Sequence, residues 1–223
     1  MKHLMLALLL CPAMSLANPV ANSVERQIDR KQLSTDAATI DRDRGEIRSF
    51  RALLQKLDAA IAASDVAAAR TVKKKLTASM DREIGQSNSK TALAKVEVAQ
   101  SKGEVRGDTR EVRRDVVLGK PVQAIDDRRD RRDDQRDLAD DRDDLSEQRT
   151  RRARQQAILA EFQAIQIKGD DHPWRSLNAK RSLLDEFETT MVRDMGENWE
   201  ELHEDRGELR EDRSETKEDR RQR

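Results

Sequence analysis

Apolar residues return at every seventh position in the first third of this chain: Leu33, Ile40, Ile47, Leu54 and Ile61, with Phe50 and Leu57 three places after two of them. That spacing puts them on one stripe of an α-helix and on no face of a strand, so the segment folds by burying the stripe against another helix. Ala, Leu, Arg and Gln favour the same state, and the spacing predicts a helix from about Val20 to Ala63.

The constraint matters because the rest of the composition points elsewhere. Charged residues make up 39% of the chain, and its aromatic residues are Phe50, Phe162, Trp174, Phe187 and Trp199, with no Tyr. Such a chain is close to the composition of disordered proteins and cannot build a thick core. The periodicity argues for long helices with a narrow apolar seam.

The amino terminus reads as a secretory signal over residues 1–17: Lys2 and His3, an apolar run from Leu4 to Leu10, Pro12, and small residues at Ser15 and Ala17, with cleavage before Asn18. The run is well short of the roughly 20 residues that cross a bilayer, so no transmembrane segment is expected after cleavage. Acylation at Cys11 is disfavoured by the bulky Leu10 before it. Cleavage removes Cys11, the single cysteine, and with it disulfides and thiolate metal sites. Losing Lys2 leaves the processed chain within one charge of neutrality, which disfavours nucleic acid as a partner, since phosphate binding needs an uncompensated basic surface. The expected location is the periplasm.

Punctuation divides the remainder. Ser64-Asp65 suits a turn with an N-cap and a second helix from Val66, folding Leu57 towards Val72 and Leu53 towards Leu76. Gly85 to Ser89 should weaken that helix, and beyond it Val98, Val105 and Val112 again sit seven apart. Leu118-Gly119-Lys120-Pro121 stops it, a third helix follows to about Lys168, and Gly169 to Pro173 precedes a fourth carrying Leu177, Leu184, Phe187, Met191, Met195, Leu202 and Leu209, with a register break near Gly196. The expected fold is therefore all-α, with long antiparallel helices forming helical hairpins, a coiled coil or an elongated four-helix bundle. One hairpin would span 18–118 and the other 119–223. Arg44-Gly45-Glu46, Arg106-Gly107-Asp108 and Arg206-Gly207-Glu208 share a short pattern, which either duplication or chance in an Arg- and Asp-rich chain would produce.

From Asp126 to Arg154, 21 of 29 residues are charged. A helix there would lean on pairs such as Asp127 with Arg131 and Asp133 with Arg136, and its acids would face Lys90, Lys95, Lys102, Arg106, Arg110 and Arg113 of the second helix. The Asp pairs beginning at Asp126, Asp133, Asp140 and Asp143 could gather hard cations weakly, although no glycine-turned calcium loop is present. Glu200-x-x-His203 has the spacing of a bundle metal ligand pair but occurs once, and His172 is better explained by a capping turn; no metal site or cofactor is expected. With no cysteine nucleophile, no Gly-x-Ser-x-Gly elbow and no phosphate-cradling loop, the chain does not read as an enzyme. Helices this thin should also be unable to enclose a carboxyl group.

The expected function is a non-catalytic exported scaffold of the bacterial envelope acting through coiled-coil surfaces on a protein partner or by self-association. Ile40, Ile47, Phe50, Leu54, Leu57, Ile61, Leu177, Leu184, Phe187 and Met191 would form its assembly seam. A chaperone-like periplasmic stress protein and a cation-binding periplasmic protein are the alternatives.

Overall fold

The computed structural model describes residues 21–167 and 173–222; the segment expected to be a signal and the stretch containing Gly169 and His172 lie outside them. The fold is all-α: α1 (Ala21–Ala62), α2 (Val66–Val117), α3 (Pro121–Ala164), the short α4 (Pro173–Ala179) and α5 (Arg181–Gln222), with no strand among the described residues. The chain divides into two compact units, residues 43–195 and residues 1–42 with 196–223.

Each boundary has a local cause. Ser64 closes α1 with a positive φ of 52°, and Asp65 accepts from the Ala68 amide at 2.9 Å to cap α2. Gly119 reverses the chain at φ 66°, a conformation glycine adopts without strain, and Pro121 occupies the first turn of α3, where no amide hydrogen is needed. One expected weak point holds as helix, since α2 runs unbroken through Gly85–Ser89, and α5 is likewise continuous through Gly196. The interruption falls at Lys180 instead, whose amide is shared between the Ser176 and Leu177 carbonyls at 3.2 Å. The third helix ends at Ala164, a few residues before the expected Lys168.

In the unit spanning 43–195, four helical stretches bury one apolar cluster. α1 supplies Ile47, Phe50, Leu54 and Leu57, α2 supplies Val72, Leu76, Met80 and Ile84, α3 supplies Ile158 and Phe162, and α5 supplies Leu184, Phe187 and Met191. Phe50 and Phe187 stack with ring centroids 5.6 Å apart. One end is sealed by residues 165–167, extended and apolar at Ile165 and Ile167. Arg70 donates to the Ile167 carbonyl at 2.8 Å, and Lys73 donates to the carbonyls of Gln163 and Ile165 while its Nζ lies 5.7 Å from the centre of the Phe162 ring. Burial lowers the Lys73 pKa. Surface ion pairs clamp the helices outside the cluster: Arg51 to Glu188, Arg181 to Asp58, and Nε and Nη2 of Arg154 to the two oxygens of the Glu186 carboxylate.

Beyond the cluster, α2 and α3 continue as an antiparallel pair to the turn at Gly119. In the other unit, Ile40 and Leu202 are buried, and the Trp199 and His203 rings lie 6.3 Å apart.

Candidate functional site

Every residue of the expected assembly seam that falls in unit 43–195 is consumed by that unit's own core. Ile47, Phe50, Leu54, Leu57, Leu177, Leu184, Phe187 and Met191 are buried, and Ile61 packs half-buried against them. Ile40, which belongs to the other unit, is buried as well. The stripe that organises the fold therefore presents little surface to a second chain. What distinguishes the molecule lies in three places that follow one another along α2.

The first is a polar layer above the apolar cluster. Glu83 is only 7% exposed and faces Asp194, which is itself paired with Arg151; all three are buried. Burial, then the charge and hydrogen bond of Asp194, then the charges of Glu46 and Asp43, push the Glu83 carboxyl up to about 8. At neutral pH Glu83 is thus protonated and donates to Asp194, which also accepts from Arg151, and the layer carries balanced charge. Ser87 donates to Gln155 at 2.8 Å and Gln155 to Thr190 at 3.0 Å, extending the network across α2, α3 and α5. A shallow cleft here is lined by Asp43, Glu83, Ser87, Lys90 and Asp194. The expectation that these helices could not enclose a carboxyl group fails at Glu83, because the four-helix cross-section is thick enough at this level. Nothing in the sequence around Asp81-Arg82-Glu83-Ile84 marks it; the signal is only that Glu83 falls on the inward face set by Met80 and Ser87.

The second is the seam between α2 and α3. Inward residues on α2 alternate steps of three and four: Ser87, Thr91, Ala94, Val98, Ser101, Val105, Asp108, Val112 and Asp115. On α3 the matching set runs Ala124, Asp127, Arg131, Asp134, Leu138, Asp141, Leu145, Gln148 and Gln155. Ser87 bonds Gln155, Ser101 bonds Asp141, Asp108 bonds Asp134, and Asp115 acts on Asp127, each step of seven along α2 matched by seven back along α3. The same register sets Ala94 against Gln148, whose Oε1 is buried without a partner.

Of the six basic residues expected to face α3, Lys90 is half-buried and the other five lie outside the seam. Lys95, Lys102, Arg106, Arg110 and Arg113 are exposed outside it, while carboxylates meet carboxylates within it. Burial and the facing Asp134, with Glu111 and Asp130, raise Asp108 to about 6. Glu97 is raised by burial and by Asp141 and Asp144, and Asp127 by lost solvation and by Asp115, Glu111 and Asp130 against the pull of Arg114. The expected Asp133–Arg136 pair forms at 2.7 Å, whereas Asp127 and Arg131 each keep a buried polar atom without a partner.

The third is the turn itself, where Val116, Val117, Leu118, Val122 and Ile125 are all at least half exposed. Among the described residues no three metal-binding side chains gather in one place, His203 is exposed, and no helix is long and apolar enough to cross a membrane. No family model matches the chain, and comparison with curated proteins and with solved structures gives no match.

Proposed function

We propose that this chain is an exported, non-catalytic scaffold of the bacterial envelope whose working element is the α2–α3 hairpin, acting as an antiparallel coiled coil. One observation carries the reading: the apolar residues are spent on an internal core at one end of the hairpin, while its far turn keeps apolar residues exposed. A pair of helices so arranged is a spacer that positions a contact surface, with the bundle as its anchor. Leu93 and Val96, exposed one helical turn apart on α2, give the hairpin a flank on which a protein partner or a second copy can rest.

Two measurements test this. Fractionation with mass analysis is expected to find the protein in the periplasm beginning at Asn18. A photo-activated cross-linker at Leu93 or Val96 is expected to give discrete protein adducts in the envelope. A cytoplasmic, unprocessed chain, or no adduct at either position, would overturn the proposal. The same exposed residues favour a chaperone-like second reading, in which they hold unfolded clients. That reading requires the pure protein to suppress aggregation of a denatured test protein, and fails if several-fold molar excess does nothing.

A further inference from the structure

We propose that the turn joining α2 to α3 docks on the surface of an anionic lipid bilayer. This rests on the scaffold reading only in taking the hairpin as the presenting element. Five large apolar side chains fall within ten positions, Val117 at 84% exposed and Val122 at 72% being the most open. A soluble chain leaves such residues scattered; grouped on a tight turn, they mark a contact surface.

Three amides of the turn are already bonded. The Leu118 amide donates to the Arg114 carbonyl at 2.9 Å, Gly119 to Val116 at 3.2 Å and Lys120 to Asp115 at 2.9 Å, so these groups can leave water without losing a partner. The rim is basic. Arg113, Arg114, Lys120, Arg128 and Arg129 are exposed, against the exposed acids Asp126 and Asp130; Asp115 and Asp127 are turned into the seam, and Glu111 and Asp126 lie 3.7 Å and 4.0 Å from Arg114 and Arg129. Exposed basic side chains thus outnumber exposed acids next to the apolar ones. Long basic side chains at such a rim can reach anionic headgroups while Val and Leu sit beneath them.

Size decides between occupants. Five side chains on a convex turn offer far less than the roughly 1,000 Å² that a stable protein interface buries. A bilayer sets no such minimum, because many copies bind one surface and apolar insertion and charge act together. Since no described helix can span a membrane, the contact would be peripheral.

The test is co-sedimentation of the purified protein with vesicles of mixed phosphatidylglycerol and phosphatidylcholine, against vesicles of phosphatidylcholine alone. Binding is expected to the anionic vesicles only, to weaken with added salt, and to fall by about tenfold or more in Val117→Asp/Val122→Asp. Circular dichroism should leave that variant's helicity unchanged; Lys120→Glu, which touches no core residue, should weaken binding in the same direction. Wild-type binding that ignores headgroup charge, or that both variants retain, would overturn the proposal. So would vesicle binding that is absent while Val117→Asp/Val122→Asp dissolves a concentration-dependent dimer, which would make the turn a self-association surface. Because the cross-linking test uses Leu93 and Val96, the scaffold can stand when the lipid contact fails.

Discussion

Glu83 keeps its proton only because the fold withdraws it from water beside Asp194, and that makes stability depend on pH in a predictable direction. Below its ordinary value of 4.5 the residue is protonated whether the chain is folded or not, and the fold's preference for the neutral form is fully satisfied. As pH climbs from 4.5 to about 8, the unfolded chain releases this proton while the folded chain must hold it, so stability is lost across that window and levels off above it. Glu83→Gln keeps a donor to Asp194 and removes the titration. Its urea midpoint should change less than the wild type's between pH 4.5 and 8, by about 1 kcal/mol or more in unfolding free energy, since one pKa unit is worth about 1.4 kcal/mol. Parallel midpoints for the two proteins would contradict the assignment. A second residue is under-used: Gln148 keeps a buried carbonyl oxygen without a partner, and the register places it opposite Ala94, which has nothing to donate. Ala94→Ser should supply the donor that Ser87 supplies to Gln155 and stabilise the protein by about 0.5 to 1 kcal/mol, read from the same urea curves. An unchanged or lower midpoint would place Gln148 out of register with Ala94.

Along the hairpin, the layers where α2 and α3 meet trade stability for polarity. Asp108 and Asp134 share one hydrogen bond, which needs a proton on one of them, and the raised value of Asp108, about 6 against an ordinary 3.8, marks where that proton leaves. The bond's contribution is complete below pH 3.8 and is lost as pH rises through 6. Asp108→Asn donates to Asp134 at any pH, so this variant should melt higher than wild type at neutral pH and lose the advantage in acid; a variant that melts lower at neutral pH would mean the two carboxyls do not face each other. The hairpin also shows where the sequence was legible. α1 could be read because Ile40, Ile47, Leu54 and Ile61 are greasy at every seventh place, and Ser64-Asp65 and Gly119-Pro121 could be read because caps and turns have their own chemistry. The α2–α3 register could not be read from hydrophobicity, because most of its inward positions are Ser, Ala, Asp or Gln, residues that look like surface. The signal was polar periodicity: Asp127, Asp134 and Asp141 recur at sevens opposite Ser101, Asp108 and Asp115. Charge pattern misled for the same reason, since it was the exposed lysines and arginines that seemed to offer α3 a partner.

Over the described residues, helix is nearly continuous but apolar burial is not. The cluster built from Ile47–Leu57, Val72–Ile84, Ile158–Phe162 and Leu184–Met191 holds the large buried side chains, while residues 126–150 bury only Leu138 and Leu145 among theirs. Replacing Ile47 and Leu54 together by Asp would put two carboxylates into that cluster, and helicity in the first half should collapse; an unchanged circular dichroism spectrum and melt would show that the seven-residue stripe does not organise the fold. The same unevenness predicts how the intact protein opens. Amide exchange requires the helical hydrogen bond to break, and where little apolar surface is buried the local opening needs only a fraction of the global unfolding energy. Amides of 50–57, 76–84 and 158–162 should therefore exchange slowest and at a common rate. Those of 126–150 should exchange much faster despite an unbroken helix, and should slow in acid by more than the intrinsic pH effect as the Asp108–Asp134 layer takes up its proton. Equal protection along α3 from Asp126 to Phe162 would mean that salt bridges and polar layers hold this molecule as firmly as its apolar cluster does.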